Sequence, residues 1–491
     1  MATPTPSAES PAALRLGWSL ALLALAQLII SIDYNIVFVA LPEIGRELNF
    51  SASNLQWVVS AYTVVFGGFL LLGGRAADLL GRRRMFSMGL ALYAIASLLG
   101  AFATASWMLI TSRAIQGIGG AALFPATLAL INTTFRAGPE RNRALAVWGS
   151  AGASGLSLGA VLGGVLTKFF GWESVFLVNV PLAGGCALAG YFVLPRDVAP
   201  TRRRPFDLPG ALLVTAGVTL VVYILVQGPV VGWTSAQILG STALAVVLLA
   251  LFALVESRSA DPLMPLRLFA NRNLSTATVV MFICQGGFAA LLYYLTVYFQ
   301  EIAGYNALQS GLAFLPLAAV AMVATRSSPR LLARVGVRSA LATGQAVSAV
   351  GLGVLALGLS SSGSYLTTLP GVVVFSIGNG VTFTGMFAAA GKGVAPQEQG
   401  VASGMASTGR QVGGAVGLAV LVAVASGGTE GLSGHRLHEQ MTVGLQTGVW
   451  LTAVLCLVGV VVGLLGLERE QSLRSARPAR EPAANSVDAY R

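Results

Sequence analysis

Residues 28–44 read LIISIDYNIVFVALPEI. Asp33 stands alone there, inside a run of apolar or uncharged residues that extends from about Leu16 to Leu41. At 1.5 Å rise per residue, about 20 apolar residues in helical form cross the hydrocarbon core of a bilayer. The stretch therefore reads as a membrane-spanning helix with a carboxylate inside it. An ionisable group at such depth is costly, and it marks a functional site whose partner has to be found.

The rest of the chain has the same character. Of its 491 residues, 55% are hydrophobic and 10% charged, and its mean hydropathy is +0.76. Ordinary soluble domains carry about 25% charged residues, and a soluble protein this apolar would expose aggregating patches. The class is an all-α polytopic membrane protein. Its 59 glycines suit closely packed membrane helices. The net charge of +11 does not point to nucleic acid, because no soluble basic domain is present to bind it. Cytoplasmic loops that collect Lys and Arg explain it. Cys186, Cys284 and Cys456 all lie in apolar runs and read as small packing residues. No cleavable signal peptide is evident: the first apolar run exceeds an h-region, and no A-x-A site follows it.

Fourteen spans are expected by hydropathy and length. Their limits are 16–41, 55–74, 85–104, 107–131, 144–167, 174–194, 208–227, 236–255, 274–299, 311–327, 339–360, 366–390, 401–426 and 443–466. An even count puts both termini on one side. With the N-terminus inside, the inner loops hold Arg82–Arg84, Arg136/Arg141/Arg143, Arg202–Arg204 and Arg326/Arg330/Arg334/Arg338, and the outer loops hold Arg46, Lys168 and Arg436. Roughly 25 basic residues inside against 3 outside orient the chain, with both termini cytoplasmic, in the cell's inner membrane.

Two linkers rich in Pro and charge, 195–207 and 256–273, divide the chain. The expected plan is a cytoplasmic tail (1–15), a six-helix bundle (16–194), a linker region (195–273) carrying two extra spans (208–255), a second six-helix bundle (274–467) and a disordered cytoplasmic tail (468–491). An ungapped offset of 255 residues sets Gly81 on Gly336, Gly149 on Gly404 and Gly159 on Gly414. That is the parallel repeat of two like bundles related by an axis along the membrane normal.

Charged and small residues then supply candidate functions. Arg113, in RAIQGIGGAA (113–122), lies about 9 Å below the outer end at Trp107, and Asp33 about 13 Å below Pro42. Equal depth pairs them, with Asp33 as the proton site and Arg113 as its tuning partner; a structural ion pair is the bland reading. In GGRAADLLGRRR (73–84), Gly74 and Gly81 permit a tight turn, and Asp78, Arg82 and Arg83 are candidates for a cytoplasmic gate. Gly149, Gly152, Gly155, Gly159 and Gly163 make a bare stripe on the fifth span. Gly409, Gly413 and Gly417 repeat it on the thirteenth, and such stripes let helices approach closely. Arg410, Gln116, Gln285 and Gln411 are polar cavity candidates. Asn35, Trp57, Tyr62, Tyr293 and Tyr294 are candidates to line the same cavity, although aromatic residues in spans more often pack or anchor.

These stretches resemble the 14-span drug:proton antiporter branch of the major facilitator superfamily over about residues 15–467. The matching segments are IDYNIVFVALP (32–42), GGRAADLLGRRR, RAIQGIGGAA, the Gly-rich fifth span, WESVFLVNVP (172–181), PLMPLRLF (262–269) and RQVGGAVG (410–417). The resemblance implies a major facilitator fold, alternating access and a central cavity between residues 16–194 and 272–467. It implies proton-driven export of a small amphipathic or cationic molecule, without a cofactor, by a monomer. The chain departs from the pattern at Leu79, where a basic residue is usual, and at Ala160, where the exporter motif carries Pro. Asn35 and Phe38 stand where Thr and Asn are usual.

Other classes fit less well. GMFAAAGKG (385–393) misses the phosphate-cradling spacing. GIGGAA (117–122) lies within an apolar span with no strand before it. GLSLG (155–159) matches a nucleophile elbow around Ser157, but the only histidines, His435 and His438, fall before the last span, so a membrane hydrolase is remote. The closer rival is a proton-coupled exporter or symporter of a specific metabolite or siderophore, because a fold does not fix cargo or direction.

Overall fold

A computed structural model describes residues 11–136, 138–197, 207–259, 262, 264–361, 364–395, 398–426 and 434–468. The Arg202–Arg204 cluster and the two terminal tails lie outside the described residues, apart from the helical residues 11–15 and Glu468. No strand occurs among the described residues. The long helices are α1 (Pro11–Glu47), α2 (Trp57–Leu80), α3 (Arg82–Ala101), α4 (Ser106–Thr134), α5 (Pro139–Phe170), α6 (Asn179–Val193) and α7 (Leu208–Val231). They continue as α8 (Ala236–Arg258), α9 (Arg272–Val297), α10 (Leu315–Val335), α11 (Val337–Gly358), α12 (Tyr365–Ala390), α13 (Gln399–Ala425) and α14 (Gly434–Gly466).

Thirteen spans among the described residues are long and apolar enough to cross a membrane. The remaining helix, α5, has a shorter apolar part, Leu158–Phe170. Glu140, Arg141 and Arg143 charge its first turns, and Gly and Ser dilute its middle. Its 32 residues still reach about 48 Å. Several helices outrun the apolar stretches that mark them in the sequence. α1 continues through Pro42 to Glu47, and α14 begins at Gly434, so Arg436 and His438 sit on its first turns and not in a loop. Hydropathy locates what lies in hydrocarbon, while a helix runs on into the interface.

Local chemistry fixes the ends. Gly81 and Gly336, matched by the 255-residue offset, both break a helix pair with positive φ, 105° and 82°. Asn271 caps α9 through the N–H groups of Asn273 and Leu274, at 2.9 and 3.1 Å. Asn306 and Gln309 form a capping box on the short helix Ala307–Ala313 that leads into α10.

The packing repeats with the sequence. The pairs α1–α5, α2–α4, α3–α4, α3–α6 and α1–α6 recur as α9–α13, α10–α12, α11–α12, α11–α14 and α9–α14. The glycine stripes make the first member of each set possible. Gly152, Gly155, Gly159 and Gly163 lie against Gln27, Ser31, Ile32 and Ile36 of α1, and Gly413 and Gly417 lie against Phe282 and Gly286 of α9. Gly149 differs, with open space around it.

The first six helices meet the last six at several places. Gly164 of α5 lies on Ala307 and Leu308. Gln300, in the turn after α9, donates to the Val39 carbonyl of α1 at 2.8 Å. α2 runs along α13, with Gly67 against Gln411 and Gly404 against Leu71. The extra helix α7 lies over this last seam, where Val218, Val222 and Val226 pack with Val64 of α2 and with Ala415 and Ala419 of α13. α8 packs on α7 and is otherwise little buried. Its exposed Leu244, Val246 and Val247 suit contact with lipid.

Candidate functional site

α1 carries Asp33 into the middle of the first six helices, where its side chain is 0% exposed. Facing it on α4 is Arg113, 1% exposed, with Nη1 2.7 Å from Asp33 Oδ2. Gln116 is one helical turn beyond Arg113 and so lies on the same face. Its Nε2 donates to Asp33 Oδ1 at 2.9 Å and to Ser97 Oγ of α3 at 2.9 Å. From α6, Asn179 Nδ2 donates to the same Oδ1 at 2.7 Å. Arg113 is held in turn: Nε donates to the Val58 carbonyl of α2 at 2.9 Å, and Nη1 to Gln116 Oε1 at 2.5 Å. The guanidinium stands 4.5 Å from the Tyr62 ring centroid, where the ring face attracts a cation. Five of the first six helices thus contribute to one polar cluster. Three donors, Arg113, Gln116 and Asn179, converge on the one carboxylate.

A second polar group spans both halves. Arg410 of α13 donates through Nη1 to Gln285 Oε1 of α9 at 2.7 Å. Gln285 Nε2 donates to the Tyr34 hydroxyl of α1 at 2.8 Å. Cys284 Sγ lies 3.5 Å from Asn379 Oδ1 of α12. Tyr34 is the chain neighbour of Asp33, so the two groups share a turn of α1.

The expected cavity residues are dispersed by this geometry. Tyr62 and Gln116 belong to the Asp33 cluster, and Gln285 and Arg410 to the second group. Gln411 is buried against Gly67 across the α2–α13 seam. Asn35 is buried with its Cβ against Gly159. Trp57 packs on the valine cluster of α7. Tyr293 and Tyr294 are core residues, with the Tyr294 hydroxyl donating to the Leu421 carbonyl at 2.6 Å. In this conformation these three aromatic side chains pack within hydrophobic clusters. One open recess, of about 440 Å³, is lined by Glu43, Arg46, Lys168 and Gln300 where the two halves meet.

At the α2–α3 turn, Asp197 caps α3 by accepting from the N–H groups of Arg83 and Arg84 at 2.8 and 3.1 Å. The Arg83 guanidinium donates to the Tyr191 carbonyl at 3.1 Å and lies 4.9 Å from that ring. Arg83 is therefore engaged within the first half. Gly74 packs on Pro125 of α4. The Asp78 side chain lies outside the described residues, and Arg82 begins α3. Asn179 and Ser97 were not singled out from the sequence. A lone Asn in an apolar span, as in LVNVP, is the signal that could have found the first. Among the described residues no cluster of His, Cys, Asp or Glu is placed to hold a metal.

Comparison with known proteins agrees with this architecture. The Major Facilitator Superfamily pattern matches residues 23–418. The chain is 37% identical over 454 residues to the cephamycin export protein CmcT of Amycolatopsis lactamdurans, covering 91% of this chain and 92% of the relative. It is 37% identical over 449 residues to the puromycin resistance protein pur8 of Streptomyces alboniger, covering 91% and 89%. The crystal structure of the POT family transporter PepTSo superposes with a TM-score of 0.69 over 94% of this chain and 99% of that one, at 14% identity. That last likeness concerns the fold.

Proposed function

Because the chain belongs to the major facilitator superfamily and is a polytopic transporter, not an enzyme, we propose that it exports amphipathic small molecules by alternating access. The proton gradient drives it, with no bound cofactor. Residues 16–194 and 274–467 act as the two moving bundles, and 208–255 as an addition between them. The chain sits in the cell's inner membrane as a monomer with both termini cytoplasmic. Asp33 carries the proton, and Arg113 tunes it. The loop of Gly74, Asp78, Gly81, Arg82 and Arg83 gates the cytoplasmic side.

The observation that carries this reading is the Asp33 cluster. A fully buried carboxylate held by Arg113, Gln116 and Asn179 joins α1, α4 and α6 at one point. Intramembrane ionisable groups of this kind mark proton relays. Cargo that favours the ionised carboxylate is coupled by linkage to proton release.

The test is accumulation of a fluorescent amphipathic dye in an efflux-deficient host, with and without an uncoupler. Expressing cells should hold less dye than control cells, and the difference should vanish on uncoupling. Equal dye in both, before and after uncoupling, sinks the export reading. Dye gain that depends on the gradient indicates uptake instead.

A further inference from the structure

Among the described residues, Asp33, Arg113 and Arg410 are ionisable side chains carried inside the helix bundle. The first two neutralise each other. Arg410 is left over. Among the described residues its hydrogen-bond partner is the neutral carboxamide of Gln285, and its Nε is buried with no acceptor. A guanidinium in a low-dielectric setting without a counter-charge is costly. The groups around it do not lower that cost. Gln285 spends its oxygen on Arg410 and its N–H on Tyr34. Because the Tyr34 oxygen accepts that bond, its O–H proton is left to donate. The site therefore offers donors, Arg410 Nε and Tyr34 O–H, and a net positive charge.

We propose that Arg410 anchors the cargo, and that the cargo class it selects is amphipathic molecules bearing an anionic acceptor, a carboxylate or an ionised enol, and not plain cations. The planar fork of the guanidinium matches a carboxylate with two parallel N–H bonds. The anion brings the charge that the site lacks, whereas a plain cation meets Arg410 with no acid to offset it, since Asp33 is spent on Arg113. The anchor lies on α13, its support on α9 and the second donor on α1, so bound cargo bridges both halves of the molecule. The inference rests on the exporter reading for its biology, but its test does not.

Three matched probes suffice: pyrenebutyrate, its methyl ester and a pyrenebutyl-trimethylammonium salt. Their binding to detergent-solubilised full-length protein is read by fluorescence. The wild type should bind the carboxylate more tightly than the ester or the ammonium. Arg410→Gln should weaken carboxylate binding about tenfold or more, as loss of a charge-assisted bond requires, and leave the ester unchanged. Arg410→Lys should keep the order of preference with reduced affinity. A wild type that prefers the ammonium, or binds no carboxylate, overturns the proposal without recourse to any variant. So does Arg410→Gln with wild-type carboxylate affinity. Uptake of the same probes into proteoliposomes under a pH gradient is scored separately: binding through Arg410 without gradient-driven transport sinks the exporter reading and leaves the anchor standing.

Discussion

Arg113 Nη1 and Asp33 Oδ2 are 2.7 Å apart, 80 residues apart in sequence, and both side chains are sealed from solvent. Removing one partner of such a pair leaves a buried, uncompensated charge, which costs about 3–5 kcal/mol. Arg113→Met should therefore lower thermal stability in detergent sharply. Arg113→Met with Asp33→Asn should recover much of the loss, because the orphan carboxylate is gone. A double variant as unstable as the single one would mean that Arg113 acts through its bond to Val58 and its contact with Tyr62, and not through Asp33.

The two glycine classes on the stripes predict opposite outcomes. At Gly417 a methyl group would run into the Gly286 backbone of α9. Gly417→Ala should destabilise by about 1–3 kcal/mol through overpacking. At Gly149 nothing lies within 4 Å, so Gly149→Ala should be neutral or gain up to about 1 kcal/mol from helix propensity. Melting curves of the two purified variants decide this, and equal behaviour would refute the packing role of the stripe.

Asp33 and Arg113 were legible because charges are rare in an apolar run and their depths match. The repeat was legible because Gly81 and Gly336 need the same backbone conformation. The glycine stripes pointed to close helix approach, yet their spacing did not reveal that α5 meets α1 and α13 meets α9. Asn179 was not legible because an uncharged amide hardly disturbs a hydropathy window, although it bonds the key carboxylate. The bond of Gln116 to Asp33 was legible too, since a position three residues after Arg113 lies on the same helix face. The place of α7 had no signal, since it has no counterpart in the repeat and its valines look the same toward lipid as toward α2 and α13. For Tyr293 and Trp57 aromatic identity alone does not separate packing from cavity, and in the structure both pack in hydrophobic clusters.

Asp197 holds the start of α3 by accepting two backbone N–H bonds. Asp197→Ala should cost about 0.5–2 kcal/mol, as for other caps. Asp197→Asn should cost less, because the amide oxygen still accepts. Stability measured for both variants at equal expression checks the order, and an Asp197→Ala protein as stable as wild type would show the cap to be redundant.

Orientation has its own test. The basic-residue asymmetry predicts position 203 inside and position 433 outside. Single cysteines placed there, in a chain without Cys186, Cys284 and Cys456, are exposed to an impermeant thiol reagent on whole cells. Labelling should occur at 433 and not at 203. The reverse pattern would invert the topology and with it the direction assigned to the gate.

Proton coupling is the sharpest question, because the Asp33 cluster is closed in this conformation. If Asp33 is the proton site, binding of cargo changes its protonation: cargo that favours the ionised carboxylate expels a proton, cargo that places an anion beside it takes one up, and the same linkage runs in reverse. The offset-matched positions in the second half, Phe288 and Thr368, cannot substitute, since neither side chain titrates in the working range. Asp33→Asn should keep the hydrogen bonds that an amide oxygen can accept while removing the site of proton exchange. Uphill export should be lost, and downhill exchange of cargo should persist. The decisive measurement is the proton released or taken up in weakly buffered detergent solution when cargo is added, wild type against Asp33→Asn, with binding confirmed for both. An exchange by the wild type alone assigns the coupling to Asp33. Equal exchange by the two proteins would leave Asp33 and Arg113 as a structural ion pair and place the proton elsewhere.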